Sequence, residues 1–139
     1  ITNSDHVRAT ENLREVFGAR VAGPASERER FPIACDRWLG DGDEVEGLRV
    51  LALDGSKTPG ELALLLEDTT LITGDLVRAH RGGSLMMLPP PKLQDVARAR
   101  ESVRRLAALE RVEAVLVGDG WPVFRDGRRL LHELVDSFA

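Results

Sequence analysis

Tyrosine is absent, and aromatic residues make up only 4% of the 139-residue chain. Proteins that grip single-stranded nucleic acid stack bases on aromatic faces, so a platform of that kind is not expected. Basic charge is also short: 19 Lys and Arg against 23 Asp and Glu leave a formal net charge of −4. Phosphate backbones select clustered basic surfaces, so the charge points to no nucleic-acid partner. A single cysteine, Cys35, excludes an internal disulfide framework and a multi-cysteine zinc site. No apolar run reaches the ~20 residues of a spanning helix, so no membrane partner is expected. The chain opens at Ile1 without methionine or a signal-peptide pattern. The expected location is cytoplasmic, and an upstream segment is expected before Ile1.

What is present is a balanced globular composition, 42% hydrophobic and 30% charged, enough for one domain over residues 1–139. Ser4-Asp5 reads as an N-cap for a helix carrying Val7, Thr10, Leu13, Val16 and Phe17 and ended by Gly18. A short strand follows at 20–23, then a charged turn at 27–30. Residues 38–54 read as strand-rich around the turn Gly40-Asp41-Gly42-Asp43, with Leu48 to Leu53 covered on both faces. Segments 61–67 and 69–73 form a predicted hairpin about Glu67-Asp68. A helix is predicted over 93–109, a buried strand over 114–117, and a last helix from about Gly127. Strands mixed with peripheral helices make a layered α/β or α+β domain.

Three polar regions follow or end predicted strands: Thr2-Asn3-Ser4-Asp5-His6, Thr58-Pro59-Gly60 with Thr73-Gly74-Asp75, and Gly118-Asp119-Gly120-Trp121-Pro122. Layered α/β folds place their chemistry at such strand ends. Asp5, His6, Asp75 and Asp119 are therefore candidates to converge, and their oxygen and nitrogen donors suit zinc, manganese or iron. Each has a plainer reading beside it. Asp5 and His6 suit an ordinary helix start, and Asp75 and Asp119 suit turns beside glycine.

The order and spacing of these segments resemble the metallo-β-lactamase-fold hydrolase superfamily along essentially the whole chain. The superfamily's H-x-H-x-D-H motif matches at Asp5-His6, and its G-H-T-P-G loop matches at Ser56-Lys57-Thr58-Pro59-Gly60. Its T-G-D strand end matches at Thr73-Gly74-Asp75 and its G-H-G-x-P segment at Gly118-Asp119-Gly120-Trp121-Pro122. The resemblance implies an αββα sandwich lacking its N-terminal strands. It implies Asp5, His6, Asp75 and Asp119 as metal ligands, with Asp5 also acting on a metal-bound water. By the same resemblance the family's first two histidines fall on Ile1 and Asn3, that of the G-H-T-P-G loop on Lys57 and the last on Asp119, while the one between the first helix and that loop has no counterpart. A metal-activated hydroxide needs a cation that lowers the pKa of its water from about 15.7 to about 7, and tight zinc sites use about three or four protein ligands.

Ile1 cannot donate, Asn3 is a weak oxygen donor, and Lys57 would have to lose its proton to ligate. The expected cofactor is thus one divalent metal or none. Lys57 is expected to act as a counter-ion for Asp75, shared with Asp5 or Asp119, in place of a lost ligand. Two functions follow. One is a hydrolase-like protein with a degenerate metal site and weak or no activity. The other is an active single-metal hydrolase of a small ester or thioester. A small-molecule substrate is the expected partner. The sheet surface left open by the missing strands calls for an upstream segment or a homodimer.

The remaining features have structural readings. His80 and His132 are expected to be solvated and Cys35 to be an inert thiol. Arg98, Arg100, Arg104 and Arg105 read as a solvated helix face, with Glu101 pairing Arg104 and Arg105. Met86-Met87-Leu88 is expected to pack on the domain, or to line an entrance or dimer contact.

Overall fold

The apolar runs at the centre of the chain form one mixed sheet, and the computed structural model describes it within residues 1–138. In chain order the strands are β1 (Ala22–Pro24), β2 (Arg37–Leu39), β3 (Glu44–Val45), β4 (Leu48–Leu53), β5 (Glu61–Leu66), β6 (Thr70–Thr73), β7 (Val77–Arg78), β8 (Met86–Met87) and β9 (Ala114–Val117). The helices are α1 (Thr10–Phe17), α2 (Val96–Ala107) and α3 (Gly127–Asp136). The main sheet has five strands in the order β3-β4-β5-β6-β9, antiparallel throughout except for the parallel pair β6–β9. β1 pairs with β2 and β7 with β8 as separate two-stranded sheets.

Side chains alternate across a strand, so β4 and β5 divide their apolar residues between two faces. Leu51, Leu53, Ala63 and Leu65 face the larger core with Val103 and Leu106 of α2 and Leu130, Leu131 and Leu134 of α3. Val50 and Leu62 face the other way, against Leu39. The β5–β6 hairpin turns on Glu67 and Asp68 at φ 50° and 59°, the mirror-image conformation that matches strand twist. Of the expected αββα sandwich, the described residues thus contain a five-stranded sheet with helices α2 and α3 on one face.

Several predicted elements differ. The single helix expected over 4–17 is two pieces. The first is a 3-10 turn, Ser4–His6, capped by Asn3 rather than by Ser4-Asp5: Asn3 Oδ1 accepts from Asp5 N at 3.0 Å. The second, α1, starts after Ala9, which offers no capping side chain, and ends on Gly18 at φ 62°. α1 buries nothing, and Leu13, Val16 and Phe17 of its expected apolar stripe are 52%, 69% and 74% exposed. Leu93 lies ahead of α2, whose start is set by Asp95 accepting from Ala97 N and Arg98 N. Glu101 pairs with Arg104, but Arg105 reaches instead to Asp41 at 2.6 Å.

The sheet order decides where the polar loops go. β6 and β9 run parallel with Thr73 opposite Val117, so Gly74-Asp75 and Gly118-Asp119 leave the sheet side by side. β5 is antiparallel to β6, which brings its first residue, Glu61, to that same edge. The opening segment joins there too, through Leu62 N donating to Thr2 O at 2.8 Å.

Candidate functional site

Asp75 is the centre of this edge, with its side chain 8% exposed. Asn3, fully buried, donates from Nδ2 to Asp75 Oδ2 at 3.1 Å. His6 Nε2 lies 3.1 Å from the other oxygen, Oδ1. The cap that Asn3 makes on Asp5 N therefore also orients its amide toward Asp75, and the opening turn is fixed to the end of β6. Arg78, three residues on in β7, brings Nη2 to 4.0 Å from Asp75 Oδ1.

Around this centre lie two outer pairs. The Lys57 ammonium is ion-paired with Asp5 Oδ2, both side chains being partly open to solvent. Its hydrogen bond to Asp5 raises the lysine pKa; slight burial opposes this, while the Asp5 and Asp75 charges add to it. Arg78 Nη2 also pairs with Asp119 Oδ2, which His80 Nε2 approaches at 2.9 Å. The hydrogen bond from His80 is the main cause holding the Asp119 carboxyl below its ordinary range, helped by the Arg78 charge.

A buried layer supports these pairs. Glu61 is fully buried; Ser56 Oγ donates to its Oε2 at 2.5 Å and Leu76 N to its Oε1 at 2.7 Å. Burial pushes the Glu61 carboxyl up to about 7. Glu27, also buried, accepts from Thr58 Oγ1 at 2.8 Å and from Ser4 N at 3.1 Å, joining the Lys57 loop to the opening turn. Two glycines permit the close approaches. A Cβ on Gly60 would lie 2.1 Å from Ser26 Oγ. Gly120, at φ +112°, lies so near β7 that its Cβ would sit 2.1 Å from Ala79 O.

The structure thus brings Asn3, Asp5, His6, Lys57, Asp75 and Asp119 to one edge of the sheet. The direct partner of Lys57 is Asp5, and Asp75 acts on it through its field. Sequence reasoning passed over three residues. Glu61 was one residue of a strand, although a carboxylate directly after Pro59-Gly60 and ahead of Leu62-Ala63-Leu64-Leu65 is a visible anomaly. Arg78 stands in no motif and no periodic stripe of the sequence. His80 is exposed as expected, yet it is bonded to Asp119. Of the others, His132 is exposed, Cys35 is half-buried with its thiol pKa pushed up by burial, and Met86 and Met87 form β8 against β7.

As an arrangement of charge, the edge sets three carboxylates against an ammonium, a guanidinium and two imidazoles. Asp5, Asp75 and Asp119 each have a cationic or imidazole neighbour within 4.0 Å. Among the described residues, no three His, Cys, Asp or Glu side chains stand together as a metal-ligand group. No helix among them is long and apolar enough to cross a membrane.

A family model described as Metallo-beta-lactamase superfamily matches residues 1–138. The hydroxyacylglutathione hydrolase of Ectopseudomonas mendocina is 41% identical over 110 residues, which is 76% of this chain and 39% of that protein. The hydroxyacylglutathione hydrolase of Pseudomonas putida is 36% identical over 120 residues, 81% of this chain and 42% of that protein. The chain spans about two fifths of the length of such curated relatives. Among solved structures, TTHA1623 in a di-iron-bound form superposes with a TM-score of 0.73 at 23% identity, covering 96% of this chain and 72% of that one. The mono-zinc form of FIM-1 from Pseudomonas aeruginosa gives a TM-score of 0.73 at 16% identity, covering 99% of this chain and 65% of that one.

Proposed function

We propose that this chain, which belongs to the metallo-beta-lactamase superfamily, keeps the hydrolase fold with internal ion pairs where its relatives carry metal, and has weak or no hydrolase activity. The observation that carries this reading is the ion pair of Lys57 with Asp5. A lysine ligates metal only through a neutral amine, and Asp5 raises the Lys57 pKa, which keeps it an ammonium without a lone pair. Arg78, the other cation at the edge, stays charged in proteins and has no acceptor. A dication placed among these groups would meet two fixed positive charges, and its remaining donors would be too few for the usual tetrahedral site. In the absence of a metal, the same cations offset the carboxylates that a dication would otherwise neutralise.

The test is elemental analysis of protein expressed with added zinc and manganese, together with an assay on a hydroxyacylglutathione thioester, the substrate class named by the relatives at 36–41% identity. The expected result is metal near zero and no turnover above background. One ion per chain, lost in Asp75→Ala together with thioester turnover, would instead establish a single-metal hydrolase built from Asp5, His6, Asp75 and Asp119.

A further inference from the structure

We infer that Asp41 and Arg105, with Ser102, form a side-chain lock along the open long side of β4, which keeps this strand from pairing with β4 of a second copy of the chain. The inference is independent of the metal-free reading and uses none of its residues. β5 flanks β4 on one side, but on the other β3 has only two residues, which pair with Leu48 and Arg49. Among the described residues no strand covers the rest of that side. Backbone groups of alternate residues point the same way, so those of Val50, Ala52 and Asp54 face outward there. A groove of about 450 Å³, lined by Ala52, Asp54, Ser102 and Arg105 among others, keeps the approach to them open. A row of free N–H and C=O groups is a template for another strand. Segment 48–53 is apolar apart from Arg49, so an identical strand, related by a two-fold axis, is the partner that fits it.

Each outward group is instead taken by something that cannot extend the sheet. Val50 N donates to Asp43 O at 2.8 Å and Val50 O accepts from Gly42 N at 2.9 Å, both in the turn ahead of β3. Ala52 N donates to Asp41 Oδ1 at 2.9 Å, and Ala52 O accepts from Arg105 Nη1 at 3.2 Å. Arg105 Nη2 donates to the same Asp41 oxygen at 2.6 Å. Carboxylate and guanidinium together thus offer Ala52 the acceptor and the donor that a neighbouring strand would supply. Asp54 N donates to Ser102 Oγ at 2.8 Å, and that hydroxyl donates back to Asp54 O at 3.0 Å. Ser102 and Arg105 stand three residues apart on α2, hence on one face of it, and serve successive outward residues. Slight burial works against the Asp41 charge, yet the bonds from Arg105 and Ala52 N hold its carboxyl below the ordinary range. The Arg105 and Asp41 side chains are 45% and 50% exposed, and an ion pair so open adds little stability. What the pair covers, rather than what it stabilises, accounts for its bonds to both backbone groups of one residue.

The experiment compares the full chain with Asp41→Ala/Arg105→Ala, which strips both partners from Ala52, and with Asp41→Asn, which keeps an acceptor for Ala52 N. Arg104→Ala is the control, since its ion pair is with Glu101 of its own helix. Mass is measured by light scattering after size exclusion. Hydrogen exchange is followed by mass spectrometry in peptides covering 48–54. At about 100 µM the double variant is expected to reach at least about twice the mass of wild type, Asp41→Asn and Arg104→Ala. Exchange in 48–54 should slow at least about tenfold between about 1 µM and about 100 µM double variant, and should not vary with wild-type concentration. A folded double variant that keeps the wild-type mass would overturn the inference. So would association without concentration-dependent protection in 48–54, because the contact then lies elsewhere. Equal association of Asp41→Asn or Arg104→Ala would overturn it by making lost charge, not lost backbone partners, the cause. If the double variant does not fold, Asp41→Ala and Arg105→Ala singly carry the same readouts. Failure of both to fold would also overturn the lock, since the pair would then support the fold rather than guard it.

Discussion

Glu61→Gln is expected to stabilise the protein above neutral pH and to flatten its stability profile below it. Glu61 is fully buried, and burial raises its carboxyl pKa from 4.5 to about 7 against the opposing bonds from Ser56 Oγ and Leu76 N. Between those values the native state holds a proton that the unfolded chain has released. Stability therefore falls as pH rises from 4.5 towards 7, and is level above that window. At ~1.36 kcal/mol for each pH unit of the interval, the loss comes to about 3 kcal/mol. Glutamine has nearly the same shape and no charge to desolvate. Its Oε1 can still accept from Leu76 N, and its amide can donate to a Ser56 hydroxyl that has turned round. The expected gain at pH 8 is about 1–3 kcal/mol, or a melting temperature higher by several degrees. Urea denaturation followed by circular dichroism from pH 4.5 to 8.5 measures it. The difference between wild type and variant isolates Glu61 from every other titrating group. A difference that does not change with pH would refute the assignment, because a structural effect of the substitution has no reason to track a carboxyl titration.

Asn3→Ala removes both the cap on Asp5 N and the donor to Asp75 Oδ2, and should lower stability by about 1–3 kcal/mol in the same denaturation assay. Gly60→Ala places a Cβ 2.1 Å from Ser26 Oγ and 3.0 Å from Glu27 Cγ, and should cost about 1–3 kcal/mol, read as a lower urea midpoint with an unchanged slope. Lys57→Met should cost no more than about 1 kcal/mol at pH 7, because its pair with Asp5 is largely open to water. The Lys57 pKa is raised, so its contribution is complete below 10.5 and is lost as pH rises through the higher native value; the two proteins should converge in strongly alkaline urea titrations.

Local signals were enough to read much of this molecule. The hairpin about Glu67-Asp68, the strand Ala114–Val117 and the helix from Gly127 each announce themselves by turn residues or apolar spacing, and each stands in the structure. The superfamily motifs located Asp5, His6, Lys57, Asp75 and Asp119 because each follows or ends an element that such signals delimit. The amphipathic spacing of Leu13, Val16 and Phe17 was misleading for the opposite reason. Periodicity predicts a face and not its partner, and these residues lie open among the described residues. Arg78 and His80 stand between a strand end and a glycine pair, with no periodicity. Their roles depend on contact with Asp119, which is created by the crossover from β7 to the loop after β9. Glu61 shows that a polar residue at a strand start reads as a boundary, whereas here it lies under the site because β5 begins where β6 ends.

The parallel pairing of β6 with β9 has a consequence for how the molecule is made. Everything from Gly74 to Glu113 lies between the two strands, so joining them closes a long loop before any contact rewards it. A chain emerging from the ribosome has Asp5, Lys57 and Asp75 in hand well before Asp119 arrives. The polar edge therefore cannot be complete until Asp119 has been made, by which point every residue of β4, β5 and β6 is already present.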